Sequence, residues 1–108
     1  MPDHLVIFMT APSAEVAGDI ARALVGEGLV ACVNVVPGVR SIYRWQGELC
    51  DDAEVLCVMK TRAERFEALR ARVVALHPYE VPEIIALPFA AGHGPYLAWI
   101  DSLCRPGA

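Results

Sequence analysis

The positions of apolar residues divide the first part of the chain into a strand and a helix. Residues 5–9 (LVIFM) form a continuous apolar run, which predicts a buried strand. Ser13 follows as a candidate helix N-cap. The helix predicted next has an apolar stripe at helical spacing, formed by Val16, Ala17, Ile20, Ala21 and Leu24. Gly26 and Gly28 predict its end.

The middle of the chain predicts a long hairpin. Residues 29–36 (LVACVNVV) favour a strand, and Pro37-Gly38 indicates a bulge or bend within it. Residues 39–45 (VRSIYRW) continue in β-favouring types. Gln46-Gly47 is the best turn candidate, and residues 53–60 (AEVLCVMK) are predicted to be the returning strand.

The last part of the chain predicts a helix, a strand and a short helix. Thr61 and Glu64 have the spacing of a capping box, and Pro78 predicts the end of the helix that follows. Residues 83–89 (EIIALPF) favour a strand, and Pro95 is well placed at the start of a final helix. The apolar faces of the two helices are formed by Phe66, Leu69, Val73 and Leu76, and by Tyr96, Leu97, Ile100 and Leu103.

The predicted order of elements is β-α-β-β-α-β followed by a short helix. This order indicates an α+β fold, a ferredoxin-like sandwich with a long central hairpin, and residues 1–108 are expected to form one domain. Because the chain reverses direction from element to element, three segments are expected at one end of the domain. They are the end of the first strand, the tip of the hairpin and the corner HPYEVPE at residues 77–83.

Two features predict an oligomer. The strands are apolar on both faces, whereas a sheet covered by helices on one face only should alternate apolar and polar residues. The arm at residues 29–46 would span about 50–60 Å if straight, at about 3.3 Å per residue, against a radius of gyration of about 13 Å for a domain of this size. Other subunits are therefore expected to cover the second face and to pair with the free edges of the arm.

Composition and charge limit the partners. Hydrophobic residues make up 56% of the chain, and the net charge is −4. The arginines between positions 62 and 72 are interspersed with Glu64 and Glu67, which favours a solvated helix face over a nucleic-acid surface. No apolar stretch reaches the roughly 18 residues of a membrane span, and residues 1–4 (MPDH) lack the pattern of a secretory signal. We therefore expect a cytoplasmic protein with no nucleic-acid or membrane partner.

The four cysteines do not have the spacing of a metal or redox motif. They stand at positions 32, 50, 57 and 104, and no pair forms a CxxC motif. Reduced thiols are expected in a cytoplasmic protein. Cys32 and Cys57 lie in apolar runs and are predicted to be core residues, whereas the positions of Cys50 and Cys104 carry no prediction.

Four blocks of sequence, taken in order, resemble the CutA family of divalent-cation tolerance proteins. They are ACVNVVPGVRSIYRWQGEL, VMKTR, HPYEVPEIIALP and YLAWI, and the similarity extends from Thr10 to Leu103. The resemblance implies a ferredoxin-like fold, a tight homotrimer and a location in the bacterial cytosol. It also implies a link to copper and other divalent metals, with no defined catalytic activity.

The resemblance further implies candidate metal ligands. Some members bind copper through a cysteine before the TAP turn and a His-His pair before PY, and the matching positions here are Met9, Leu76 and His77. Of these, His77 alone matches, and Leu76 cannot bind a metal. The thioether of Met9 and the imidazole of His77 suit Cu(I), with water, a neighbouring subunit or Glu80 as a third ligand. Alternatively, Met9 fills the core and His77 is a polar helix C-terminus.

The HPYEVPE corner also has a purely structural interpretation. Pro78 and Pro82 restrict the residues before them and stiffen the connection. Tyr79 is predicted to pack with its hydroxyl bonded. Glu80 and Glu83, three apart in an extended chain, are expected to point in opposite directions and to form ion pairs rather than an acid–base pair. The expected partners are Arg44, Lys60 or Arg62.

Tyr43 and Trp45 lie two residues apart and therefore on one face of the arm. Exposed aromatic residues on a projecting arm favour a subunit interface over a ligand pocket. His4 and His93 carry little information.

Four functions are compatible with these patterns. The first is a metal-binding trimer that acts in divalent-cation tolerance. The others are a PII-like sensor with small-molecule ligands in clefts between subunits, an enzyme, and a scaffold trimer. The sequence has no Gly-rich phosphate loop, and neither a Ser-His-Asp nor a Cys-His pair can be identified by motif. These absences disfavour nucleotide binding and catalysis, so we expect no enzyme.

Overall fold

A four-stranded sheet and three α-helices make up residues 3–105, the part of the chain described by the computed structural model. The strands are β1 His4–Ala11, β2 Cys32–Trp45, β3 Glu48–Arg62 and β4 Ile85–Pro88. The helices are α1 Ala14–Gly26, α2 Phe66–Leu76 and α3 Gly94–Leu103, with one 3-10 turn, Ala63–Arg65, before α2. Of the N-terminal segment interpreted above, residues 1 and 2 lie outside the described range.

The sheet is antiparallel throughout and has the strand order β2-β3-β1-β4. The predicted α+β class and the predicted order of elements are therefore confirmed. Strand β3 is the longest element: its second half pairs with β1, from Ala11↔Val55 to His4↔Arg62, and its first half pairs with β2 alone. The two strands in the middle of the sheet thus build the core, and β2 and β4 form its edges.

Helices α1 and α2 cover one face of the sheet and enclose the main core. Alternate residues of β1 and β3 are buried against them, as the period of two in a strand requires. The fully buried residues of this core include Ile7, Met9, Ala11, Ala17, Leu24, Cys57, Met59, Leu69 and Val73. Each fully buried Leu, Ile, Val or Met side chain contributes about 1.5–3 kcal/mol relative to exposure.

Helix α1 begins and ends where its sequence predicts. The Ser13 backbone is extended (φ −155°), and its hydroxyl accepts a hydrogen bond from the Val16 amide at 3.2 Å. This bond satisfies one of the amide groups that the first turn leaves without a partner. At the other end, Gly28 adopts φ +69°, in the left-handed region that glycine enters without steric cost.

The predicted capping box at the start of α2 is wrong. The hydroxyl of Thr61 donates to the carbonyl of Leu29 at 2.7 Å, and Thr61 is fully buried as the penultimate residue of β3. The carboxylate of Glu64 instead accepts from Arg62. Thr61 therefore joins the end of β3 to the segment that follows α1.

Several strand boundaries differ from the prediction, including both ends of β1, which spans His4–Ala11 rather than residues 5–9. Strand β2 begins at Cys32 rather than at residue 29, because residues 29–31 form a buried connection between α1 and the strand. Strand β3 begins at Glu48 rather than at residue 53, so the arm is longer than its apolar pattern indicates. Strand β4 spans Ile85–Pro88 only, since its register with β1 runs from Phe8↔Ile85 to Leu5↔Pro88.

The arm formed by β2 and β3 has a bulge and a tight turn, both at the predicted positions. The pairing changes register between Val36 and Val39, with Gly38 at φ +83°. Gln46 and Gly47 have φ values of +49° and +81°. Positive φ at both central residues matches a type I′ turn, whose twist fits a two-residue hairpin. The arm lengthens the molecule to 44 Å along its longest axis, against 26 and 23 Å across it.

The sheet face opposite α1 and α2 is apolar and mostly uncovered in the single chain. On this face Val6 pairs with Leu87 and Phe8 with Ile85, and both β4 residues are 50% exposed. Helix α3 covers the end of this face near the start of β1, where Asp101 accepts hydrogen bonds from His4, at 2.8 Å, and from Arg62.

Helix α3 buries less of its predicted apolar face than its sequence indicates. Ile100 and Cys104 are fully buried in a small second core with Ala31, whereas Tyr96 and Leu103 are exposed. Cys32, predicted to be a core residue, is half-buried, and its thiol lies 3.6 Å from the Tyr96 hydroxyl. This contact helps to raise the pKa of Tyr96 to about 12.

The other two cysteines differ in burial. Cys57 is fully buried, as predicted, and burial raises the pKa of its thiol. Cys50 is half-buried on the arm, and its thiol lies 3.8 Å from the carbonyl of Glu48. Among residues 3–105, no helix is long and apolar enough to cross a membrane.

Thr61→Val tests the bond that joins β3 to the segment after α1. We expect a loss of about 1–3 kcal/mol in the free energy of unfolding, because the carbonyl of Leu29 loses a buried donor. Urea unfolding at a fixed protein concentration measures it. Thr10→Val is the control, since Thr10 lies in a surface cleft and not in the core. Equal effects of the two substitutions would contradict the assignment.

Asp101→Asn tests the ion-paired end of the uncovered face. Arg62, and then His4, hold the pKa of Asp101 below its usual value of 3.8. A carboxyl group with a lowered folded-state pKa contributes stability above its unfolded pKa and loses that contribution as pH falls through the folded value. We therefore expect wild type to be more stable than Asp101→Asn at pH 6, with a difference that shrinks below about pH 4. A difference independent of pH would be inconsistent with this ion pair.

Candidate functional site

A cleft of about 670 Å³ lies where β1 ends, where the arm leaves the core and where the chain turns from α2 into β4. The end of β1 and the corner are two of the three segments that the alternation of chain direction predicts at one end of the domain, and the arm contributes its flank rather than the predicted tip. The cleft is lined by Thr10 of β1, by Ser41, Ile42, Tyr43, Trp45 and Glu54 of the arm, and by Pro78, Tyr79, Glu80, Val81 and Glu83 of the corner.

The arm supplies one wall of the cleft because of its bulge. Before the bulge Val36 pairs with Leu56, and after it Val39 pairs with Glu54. Residues directly opposite each other share a face of the sheet. Val39, and with it every second residue to Trp45, therefore lies on the same face as Glu54. This is the face that α1 and α2 leave uncovered.

Tyr43 is fixed on the arm by a cross-strand bond. Its hydroxyl donates to a carboxylate oxygen of Asp52 at 2.6 Å. This bond holds the pKa of Tyr43 far above its usual value of 10.0. Tyr43 remains 42% exposed, and the neighbouring Trp45 is 43% exposed. The aromatic residues predicted to lie exposed on one face of the arm do so, and they form part of this cleft.

Tyr79 supplies the facing wall and joins the corner to the arm. Its hydroxyl donates to the carboxylate of Glu54 at 2.5 Å, as expected for a packed tyrosine with a bonded hydroxyl. Its ring lies 4.6 Å from the ring of His77, centroid to centroid. Partial burial, together with the bond to Glu54, raises the pKa of Tyr79 well above 10.0. Both tyrosines of the cleft are therefore neutral donors at ordinary pH.

His77 caps α2 and uses both of its ring nitrogens within the chain. Nε2 lies 2.7 Å from the carbonyl oxygen of Thr10, which can only accept, so Nε2 carries the proton and donates. Nδ1 accepts from the backbone amide of Tyr79 at 3.1 Å. The ring is thus held as one neutral tautomer, and it ties the end of α2 to the end of β1.

The three predicted metal ligands do not form a preformed coordination group. Met9 is fully buried in the main core, His77 has no free lone pair in this arrangement, and Glu80 is exposed at the cleft. Within residues 3–105 there is no group of three or more His, Cys, Asp or Glu residues placed to hold a metal ion. Metal ligation by His77 therefore requires that one of its two hydrogen bonds break.

Glu80 and Glu83 both line the cleft, so the prediction that they point in opposite directions is wrong. The reason is local: residues 78–84 form bends and irregular chain rather than a strand, so strand alternation does not apply. Neither glutamate takes part in an ion pair with another described residue.

Arg44, one of the three predicted cationic partners, forms no ion pair with Glu80 or Glu83, and the other two lie elsewhere. Lys60 binds Asn34, and Arg62 binds Glu64 and Asp101. Both cations are near the start of β1, where His4 pairs with Arg62, whereas the corner packs on the end of β1.

Glu54 and Asp52 were not identified from the sequence as site residues. Their roles depend on cross-strand register: Glu54 lines the cleft, and Asp52 accepts the hydrogen bond that holds Tyr43. The sequence contains one signal for this register, which is the two-residue turn at Gln46-Gly47. Counting outward from that turn places Tyr43 opposite Cys50 and Ser41 opposite Asp52.

Comparison with known proteins identifies relatives over almost the whole chain. Residues 5–103 match the family described as CutA1 divalent ion tolerance protein. The divalent-cation tolerance protein CutA of Thermus thermophilus is 58% identical over 95 residues, which cover 88% of this chain and 92% of that protein. A CutA homolog of Xenopus laevis is 49% identical over 96 residues, which cover 89% of this chain and 64% of that protein.

Solved structures agree with the sequence matches. The divalent cation tolerance protein (Cut A1) of Thermus thermophilus superposes with a TM-score of 0.91 at 54% identity, over 94% of this chain and 99% of that one. CutA1 of Oryza sativa superposes with a TM-score of 0.94 at 40% identity, over 98% and 97%. The name of the Thermus thermophilus relative describes tolerance to divalent cations, and none of these names states a reaction. The chain therefore belongs to the CutA1 family of divalent ion tolerance proteins.

Proposed function

We propose that this chain acts in divalent-cation tolerance as a cytoplasmic homotrimer of single ferredoxin-like CutA domains, each covering residues 1–108, and that it binds copper or another divalent ion. Family membership supports the tolerance function. The observation that supports cation binding is the charge of the cleft. Three carboxylates line it, those of Glu54, Glu80 and Glu83, and no Lys, Arg or His does so among residues 3–105. A cleft lined by one sign of charge concentrates ions of the opposite sign.

Glu80 is the proposed first ligand because it is exposed and has no ion-pair partner among the described residues. His77 and Met9, which lie deeper in the chain, are the other two proposed ligands. His77 would give up its bond from the Tyr79 amide, and Met9 would have to turn away from the core. These costs predict weak binding in a single chain, and they favour a soft ion such as Cu(I) for the thioether.

The proposed trimer is supported by what the single chain leaves exposed. Ile85 and Leu87 are both 50% exposed on the uncovered sheet face, beside Val6 and Phe8. Burial of this face against sister chains, with the arm residues Tyr43 and Trp45 at the rim of the contact and still open to the cleft, would remove this apolar surface from water. It would also cover the edge strands β2 and β4, whose free backbone groups otherwise invite aggregation.

Sedimentation equilibrium tests the assembly. We expect a mass three times the 11.7 kDa of the chain at micromolar concentration. Ile85→Lys should lower this mass, because it places a charge within the proposed interface. Val74→Lys is the matched control: Val74 is 49% exposed but lies on α2, on the other side of the sheet. A folded wild-type protein of single-chain mass would refute the trimer.

Calorimetric titration with copper tests the cation site. We expect Glu80→Gln and His77→Gln each to weaken binding at least about tenfold, which corresponds to about 1.4 kcal/mol. Met9→Leu preserves the core volume and should weaken binding of Cu(I) but not of Cu(II), because a thioether is a soft ligand. Glu15→Gln, on the exposed first turn of α1, is the control. Copper affinities that are the same in all four variants and in wild type would contradict the proposed ligands.

A further inference from the structure

We propose that the cleft is a binding site for a small organic ammonium cation. The proposal uses the cleft of each chain as described above and does not depend on metal binding. Its basis is a combination of groups that goes beyond what a metal ion needs: aromatic rings from the arm and from the corner, carboxylates without ion-pair partners among the described residues, and apolar side chains.

The aromatic part of the cleft comes from two separate segments. Tyr43 and Trp45 line it from the arm, and Tyr79 lines it from the corner. The two tyrosines are held in place through their hydroxyls, by Asp52 and Glu54, so their positions are fixed without a ligand. Aromatic rings attract cations through their quadrupole, with tryptophan the strongest, and aromatic cages are a known solution for quaternary ammonium groups.

The carboxylates make the cleft negatively charged, and two of them are free to contact a ligand. Glu54 is engaged by Tyr79, whereas Glu80 and Glu83 form no ion pair with any described residue. A charge-assisted contact to a ligand ammonium would use this free capacity. An anionic ligand, by contrast, would meet three negative charges and no positive one among the lining residues.

The size and the remaining lining favour an organic cation over an inorganic one. The cleft measures about 670 Å³, within the roughly 300–1,000 Å³ typical of small-molecule sites. Ile42, Pro78 and Val81 offer apolar contact to carbon atoms of a ligand. A divalent ion would leave this surface unused, and residues 3–105 hold no group of three His, Cys, Asp or Glu residues to coordinate it.

The experiment compares a cation with its neutral isostere. Choline and 3,3-dimethyl-1-butanol have nearly the same shape and differ in charge. Each is titrated by calorimetry into the full chain in its native assembly, after treatment with a chelator. We expect choline to bind at least about tenfold more tightly, because the isostere loses both the cation–π attraction and the contact to carboxylates.

Matched variants locate the site. Trp45→Leu is compared with Trp99→Leu, because both tryptophans are 43% exposed and only Trp45 lines the cleft. We expect Trp45→Leu alone to weaken choline binding severalfold. Trp45 also belongs to the proposed subunit interface, so the double variant Glu80→Gln, Glu83→Gln provides a second test through exposed side chains. The mass of every variant is checked by sedimentation.

Three results would overturn the proposal. They are no heat with choline up to about 10 mM, beyond the range of even a weak millimolar site, equal affinities for choline and its isostere, and unchanged choline binding in the double glutamine variant. Because the titration is done without metal, its failure leaves the copper test unaffected. Conversely, choline binding in a protein that does not bind copper would support the ammonium site and count against the metal site.

Discussion

The fold and the cleft both depend on the fact that β3 is longer than β1. Over residues 55–62, β3 pairs with β1 and contributes alternate side chains to the core. Over residues 48–54 it has only β2 as a partner, so the same strand continues out of the core as one side of the arm. At the point where β1 stops, the corner after α2 fills the space beside β3. His77 fastens this corner to Thr10, and Tyr79 fastens it to Glu54.

Two networks with different physical origins therefore meet at this junction. The core on one side of the sheet is held by burial of apolar side chains, which is strong and non-directional. The cleft on the other side is held by a few hydrogen bonds of defined geometry, from two tyrosines and one histidine. This division explains how aromatic rings and carboxylates remain exposed at fixed positions. Their supports lie within the single chain and do not require the side chains to be buried.

The helices, the turn and the bulge could be predicted because each has a local cause. Ser13 caps α1 through its own hydroxyl, Gly28 ends it with a positive φ, and Gln46-Gly47 reverses the chain in two residues. Residues 48–52 of β3 could not be predicted from an apolar pattern, because they have none, and the turn at Gln46-Gly47 is the sequence signal for their pairing with β2. Their pairing depends on contacts across the arm, such as the two hydrogen bonds from Arg40 to Asp51, at 2.8 and 2.6 Å.

The candidate site was predictable in location but not in composition. Alternation of chain direction predicts that the three segments meet, whereas the set of carboxylates depends on details that no local pattern contains. Glu83 lines the cleft beside Glu80 because the corner is irregular. Glu54 lines it because of the register between β3 and β2. For His77, sequence similarity indicates a ligand, but its two hydrogen bonds show a structural contribution that residue type alone does not reveal.

The bulge between Val36 and Val39 gives the arm one residue more than a regular ladder needs. Two residues of β2, Pro37 and Gly38, stand opposite Val55 alone. Removing one of them would leave a single residue opposite Val55, and Val39 would still lie opposite Glu54. Tyr43 and Trp45 would keep their present face, because residues directly opposite each other share a face of the sheet. A lineage that lost one residue here would therefore retain the cleft wall. A second loss would leave Val55 without a partner in β2, and a slip of one residue to restore the pairing would turn Tyr43 and Trp45 to the other face.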